Sequence, residues 1–325
     1  MQWVARVRAL WGRRWVLPLV PALYALVLLA YGQMRPEHAV FGVACIALAF
    51  WGPRSKNFLI DVSPYVAVAM GYDLVRYVRP LFVTAERVLG CDLRAAELAL
   101  FGVDSQRTLQ DYFAVHHAPA FDLLFAVPYT IFVYLVILYA GFLYFRDRPR
   151  MREYLLAFGI GNYISFATWL LLPAAPPWYL HAHGCVIDTS ALPSAAGLAR
   201  VDALLGIDYY AMFYSRASSI FGALPSMHCA YPLIGLLTAW RKATPLTRPL
   251  HIGYTLIMAS AAVYLNHHWV IDVIAGWLTA VVSVWAARAW LARPAPAPAA
   301  LRSGPVLTPL PANRAARESG EARRR

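Results

Sequence analysis

Two short stretches define the chemistry available to this chain. Pro225-Ser226-Met227-His228 and His267-His268-Trp269-Val270-Ile271-Asp272 set imidazoles and a carboxylate against strongly apolar segments. Such groups are costly in a lipid environment and mark function when they occur there. The spacing His268-x3-Asp272 puts both residues on one helix face, where Asp272 accepts a hydrogen bond from one ring nitrogen of His268. That bond fixes the tautomer and leaves the other nitrogen electron-rich, as a buried aspartate does for the histidine of a hydrolase triad. His268 is then a nitrogen nucleophile. His228 returns to the same face through the intervening helix and serves as the proton donor and acceptor that a phosphoester leaving group and an incoming hydroxyl require.

A phosphate also needs positive charge or free N–H groups. Arg76 and Arg79, followed by Pro80, supply the charge, and Arg216 is a further candidate. The turn at Ser226 opens a helix, whose N-terminus offers unpaired donors. One interfacial histidine alone more often packs or anchors, but three groups converging on one face reverse that balance. His228, His267, His268 and Asp272 are also possible metal ligands. Adjacent His267 and His268 point in different directions on a helix, however, and no carboxylate cluster accompanies them, so no metal and no other cofactor is expected.

The elements that position these residues are apolar. Hydrophobic residues make up 60% of the chain and charged ones 14%, with a mean hydropathy of +0.51. A soluble domain carries about 25% charged residues. The net charge of +12 sits mainly in the termini and short connections, which reads as topological bias and not as a nucleic-acid surface. Apolar runs lie at 15–31, 38–52, 58–78, 120–145, 154–173, 225–241, 249–266 and 269–291, each near the roughly twenty residues that cross a bilayer. The second is short and the third carries Asp61, Pro64, Asp73 and Arg76, so each either crosses or lies in the interface. The expected fold is an all-α polytopic membrane bundle of six to eight spans. Residues 1–57 are expected to hold anchor spans, 58–291 the catalytic membrane domain, and 292–325 a disordered basic tail rich in Pro, Ala and Arg.

Connections rich in positive charge, Arg146 to Arg152 and Arg241 to Arg248, belong on the cytoplasmic side. Arg6, Arg8, Arg13, Arg14, the Arg54/Lys56 connection and the tail fall on that side too, so both termini are expected in the cytoplasm. The long polar segments 80–119 and 174–224, and the histidines with them, then face outward. Segment 80–119, with Glu86, Asp92, Glu97 and Asp104, is expected to form interfacial helices, and 174–196 a loop. Cys91 and Cys185 share the oxidising side and are candidates to pair. The Ala- and Arg-rich composition suggests a GC-rich bacterial genome, hence a bacterial inner membrane with a periplasmic site.

Arg79-Pro80, Pro225-Ser226-Met227-His228 and His268-x3-Asp272 resemble the three phosphate-site motifs of the type-2 phosphatidic acid phosphatase superfamily. Within it, Ala196 to Asp202, Gly206-Ile207-Asp208-Tyr209-Tyr210, Phe221 to His228, Pro173 to Tyr179 and Tyr264 to His268 resemble the catalytic subunit of inositol phosphorylceramide synthases, the aureobasidin-target family. The likeness covers about residues 70–285 in the same order. It implies that phosphoinositol passes from a phospholipid donor, phosphatidylinositol, to the primary hydroxyl of a ceramide-like acceptor, releasing diacylglycerol. By matched position it makes His268 the phosphorylated nucleophile, Asp272 its orienting partner and His228 the acid and then the base.

Two positions depart from the broader phosphatase pattern. Tyr72 stands where phosphatases have Lys, and Ala261-Ala262 where they have Ser-Arg. A site with fewer cations suits a singly charged phosphodiester better than a monoester carrying nearly two charges. The expected activity is therefore a phosphotransferase. A lipid phosphate phosphatase of the same superfamily is the alternative, and a channel with a histidine proton path is a third, disfavoured because the polar residues cluster at one end.

Overall fold

The structure is a computed structural model that describes residues 9–12 and 15–293. Arg6, Arg8, Arg13 and Arg14 lie outside the described residues, as does the expected tail beyond its first two positions. Eight apolar runs fold as helices: α1 (Val20–Ala30), α2 (Pro36–Trp51), α3 (Pro53–Phe82), α6 (Pro119–Arg146), α7 (Arg148–Leu171), α11 (Met227–Ala239), α12 (Thr247–Tyr264) and α13 (Val270–Leu291). Between them lie the short helices α4 (Cys91–Phe101), α5 (Leu109–Val115), α8 (Pro177–His183), α9 (Ala199–Leu205) and α10 (Tyr209–Tyr214). Several open on proline (Pro36, Pro53, Pro119, Pro177), whose missing N–H would have no helical partner there anyway.

Helices α3, α6, α7 and α13 are long and apolar enough to cross a membrane, while Leu17–Ala30, α2 and α11 are apolar but shorter. Among the described residues four helices thus meet that length and composition, with three shorter apolar ones beside them, which leaves the expected six to eight spans unconfirmed. The third run, open between crossing and interfacial placement, is one continuous helix of 30 residues. The chain is an all-helical integral membrane protein.

Ion pairs fix the directions of the helices. At one end Asp61 near the start of α3 meets Arg148 and Arg152 at 2.5 and 2.6 Å, and Arg288 near the end of α13 meets Glu153 at 2.7 Å. At the other end Asp73 meets Arg35 at 2.7 Å and Asp122 meets Arg200 at 2.6 Å. Consecutive long helices therefore run alternately up and down. Their core is built from α3, α6, α7, α11 and α13, with Val68, Leu143, Leu155, Phe158, Ile234 and Val284 buried together. Small residues let the helices approach: a Cβ on Gly161 of α7 would come within 3.0 Å of Ser283 Oγ on α13.

The short elements cap the end that carries the histidines. Leu89, Ala174 and Gly222 are joined by isolated parallel bridges, and Cys91 is disulfide-bonded to Cys185. The loop expected over 174–196 is corrected in part, because Pro177 starts α8 and the helix buries Tyr179 and Leu180. Apolar burial there outweighs the Pro and Gly content that favours a loop.

Candidate active site

Two helix starts, those of α11 and α13, are locked together. Ser226 caps α11, its Oγ accepting from the Cys229 N–H at 3.4 Å, while its own N–H donates to the Asp272 carbonyl at 2.9 Å. Gly276, one turn further along α13, makes this approach possible. A Cβ there would lie 2.2 Å from the Ser226 carbonyl oxygen, a distance no side chain tolerates. Ser226 is fully buried in this junction and is not part of the cavity wall described below.

The junction brings His228 to His268. Nδ1 of His268 lies 2.9 Å from the Ala223 carbonyl oxygen, and a carbonyl only accepts, so Nδ1 carries the proton. Asp272 Oδ2 is 3.5 Å from the same nitrogen and accepts from the Trp269 N–H at 2.9 Å. The Ala223 carbonyl is thus the nearer partner, with the fully buried carboxylate behind it. Nε2 of His268 keeps its lone pair and lies 3.0 Å from Nδ1 of His228, which must donate. The result is an imidazole nitrogen whose lone pair is fixed and faces a second imidazole N–H, an arrangement able to attack as a nucleophile and to pass a proton.

Behind His268 stands a carboxylate that no local spacing reveals. Glu97 of α4 is fully buried. It accepts from the Val270 N–H at 2.8 Å and from the Ile271 N–H at 3.1 Å. Gln110 of α5 donates both to Glu97, at 3.0 Å, and to the His268 carbonyl, at 3.2 Å. A negative charge at a helix N-terminus satisfies unpaired N–H groups and complements the dipole. Burial pushes the Glu97 carboxyl above the usual carboxylate range, and these hydrogen bonds oppose that shift. The sequence signal available was an acid flanked by Ala95-Ala96 and Leu98-Ala99-Leu100, too apolar a setting for a solvated charge.

The imidazoles open onto a cavity of about 530 Å³ whose wall includes Tyr72, Asn162, Trp178, Tyr214, Arg216 and Tyr231. Arg216 is the only Lys or Arg among its described lining residues. Arg76 lies outside the wall, 3.9 Å from Asp73, and donates to the Arg216 carbonyl at 2.7 Å. Arg79 is not in the wall either. Tyr72 is, while Ala261 and Ala262 are completely buried. His267 is stacked between Tyr129 and Tyr214, with ring centroids 5.0 and 4.7 Å away, and burial drives it down to about 3, so it is neutral at physiological pH. Among the described residues, no group of three or more His, Cys, Asp or Glu is arranged to hold a metal ion.

Residues 92–286 match the family model of the PAP2 superfamily. The chain is 31% identical to the phosphoinositol dihydroceramide synthase of Bacteroides thetaiotaomicron over 79% of its own length and 86% of that protein's. It is 32% identical to the inositol phosphorylceramide synthase of Candida albicans over 57% of its length, and 27% identical to the inositol phosphorylceramide synthase catalytic subunit of Schizosaccharomyces pombe over 74%. These matches span 39% and 57% of the two fungal proteins. No solved structure matches the chain.

Proposed function

The chain belongs to the PAP2 superfamily, and from that premise we propose that it transfers phosphoinositol from phosphatidylinositol to the primary hydroxyl of a ceramide-like lipid. The observation that carries this reading is the His268–His228 pair, 3.0 Å apart, at the mouth of an apolar cavity that holds a single guanidinium.

The donor's phosphodiester lies against Arg216, with His228 protonated beside the anionic phosphate. Nε2 of His268 attacks phosphorus, the bond to the diacylglycerol oxygen breaks, and that oxygen takes the proton from His228. Diacylglycerol leaves. Neutral His228 then accepts the proton of the ceramide hydroxyl, whose oxygen attacks phosphorus and breaks the P–N bond, which restores both histidines. The carboxylate of Asp272 stabilises the positive ring of the phosphohistidine. An apolar surround disfavours water as the second nucleophile, so the intermediate waits for a lipid hydroxyl.

The same reading puts both termini in the cytoplasm and the site on the exoplasmic face, which in a bacterium is the periplasmic face of the inner membrane. Arg146 to Arg152 and Arg241 to Arg248, at the opposite end from the histidines, support this orientation. So does the Cys91–Cys185 disulfide on the histidine side.

The test is transfer in proteoliposomes that contain inositol-labelled phosphatidylinositol and ceramide. Labelled inositol phosphorylceramide with stoichiometric diacylglycerol is expected. Free inositol phosphate, or release of phosphate from phosphatidic acid, would replace transfer with hydrolysis.

A further inference from the structure

Below the imidazoles the cavity continues into the bundle, where one polar pair stands among apolar side chains. Tyr231 lies three residues beyond His228 on α11, on the same helix face and about 4.5 Å deeper. It packs against the buried core cluster, its ring centroid 4.8 Å from that of Phe158. Its hydroxyl oxygen is 2.7 Å from Oδ1 of Asn162, whose Nδ2 is 2.8 Å from the Phe158 carbonyl oxygen. Both residues line the cavity.

These contacts fix every proton in the pair. The Phe158 carbonyl can only accept, so the amide nitrogen of Asn162 must face it and the amide oxygen must face Tyr231. Tyr231 is therefore the donor of their shared bond. With its only proton committed, the tyrosine oxygen offers the cavity lone pairs and no hydrogen.

We infer that Tyr231, held by Asn162, is an acceptor-only subsite that reads the hydrogen-bond donors of the acceptor lipid, the amide N–H and 3-hydroxyl beside the reacting hydroxyl of a ceramide. This inference rests on the transferase reading above. When the reacting hydroxyl meets His228, those donors lie three and four bonds from its oxygen, within reach of the helix face that carries Tyr231 one turn along. Diacylglycerol also carries a primary hydroxyl, but its neighbouring ester oxygens only accept, so acceptor would face acceptor. A buried polar group left unpaired in this way is disfavoured. The subsite therefore separates the lipid that must react from the lipid that has just left.

The test compares ceramide with its 3-deoxy and N-methyl analogues, each lacking one donor, in wild type and in Tyr231→Phe and Asn162→Leu. Wild type is expected to favour ceramide over at least one analogue by about tenfold to a hundredfold in kcat/KM. In Tyr231→Phe that ratio collapses towards one, through loss on ceramide and not gain on the analogue. Asn162→Leu frees the tyrosine proton and lowers the ratio too. An unchanged ratio in Tyr231→Phe overturns the inference. So does a wild type that treats all three lipids alike, whatever becomes of the variants. Binding of the same lipids to His268→Gln, followed by quenching of cavity tryptophan fluorescence, needs no turnover. Wild type that transfers nothing sinks the transferase reading, while this binding ratio still decides the subsite.

Discussion

Nδ1 of His228 lies 3.0 Å from Nε2 of His268, so the two imidazoles hydrogen-bond to each other. Phosphorus must come between them. An attacking nitrogen about 3 Å from phosphorus, with the leaving oxygen hydrogen-bonded beyond it, needs the nitrogens roughly 6 Å apart. Substrate entry therefore breaks this bond, and the partly exposed ring of His228 has more freedom to move than buried His268.

His268→Gln is expected to abolish transfer, with rapid-quench labelling of the wild type capturing an acid-labile phosphoprotein that the variant lacks. Asp272→Asn should be milder than in a protease triad, losing about a hundredfold instead of about ten-thousandfold, because the Ala223 carbonyl still fixes the tautomer. Near-normal activity in His268→Gln would exclude this nucleophile.

Arg216 is the only Lys or Arg among the described residues of the cavity wall, so if the proposed phosphate contact holds, Arg216→Ala should lower kcat/KM by about a hundredfold and Arg216→Lys should restore part of it. Arg76→Ala should be weaker, acting only through the Arg216 backbone. Initial-rate kinetics over a range of donor concentrations would rank the three. Equal losses in Arg76→Ala and Arg216→Ala would contradict this order.

Glu97→Gln keeps the size of the side chain but puts an amide NH2 among donors, leaving a buried N–H group unpaired at about 1–3 kcal/mol. Its folded-state pKa is raised above the ordinary 4.5. The stability linked to protonating Glu97 is therefore fully present below pH 4.5 and is lost as pH rises through the raised value. The gap in Tm between wild type and Glu97→Gln should accordingly be widest near pH 4 and narrow towards pH 8. A gap that widens with pH would reverse the assigned sign.

Cys91 and Cys185 are 94 residues apart in sequence, and closing a loop of that size stabilises a fold by about 4–5 kcal/mol in the chain-entropy view. Cys91→Ser should lower Tm and loosen α4, and with it the Glu97 contacts behind His268. Maleimide labelling of intact cells, with and without prior reduction, would show whether this pair faces the oxidising side. Free thiols at both positions in untreated cells would reverse the proposed orientation.

The residues proposed as catalytic stood out in the sequence because their relationships are local or sit in a specific motif. The four-residue step from His268 to Asp272 flags the pair, although His268 proves to lie two residues before α13 and Asp272 in its first turn, so the expected shared helix face is corrected to a helix start; the stretch ending at His228 carries a family likeness. Ala223 was not legible, since its contribution is a carbonyl that any residue has. Glu97 reaches Val270 of α13 across 173 positions and Gln110 reaches the His268 carbonyl across 158, and no pattern of charge or period announces such contacts. The arginines show the converse. Arg76, Arg79 and Arg216 look equivalent as charges, and only the packing of Asp73 against Arg76 and the placement of Arg216 in the wall separates them. The long helices were readable from hydropathy, but the 13 residues of α11 make it shorter than its apolar run suggests.

That shortness has a consequence for how the two lipids meet. Thirteen residues rise only roughly 20 Å, against about 30 Å of hydrocarbon. If Trp240, Arg241 and Lys242 mark one boundary, as the proposed orientation requires, His228 stops about 10 Å short of the opposite one. On the proposed function neither reactant would then have to be lifted out of its leaflet; instead the polar head would sink into a well between the helices. A water-soluble phosphate ester, with no tails to carry it down, would be left at the rim.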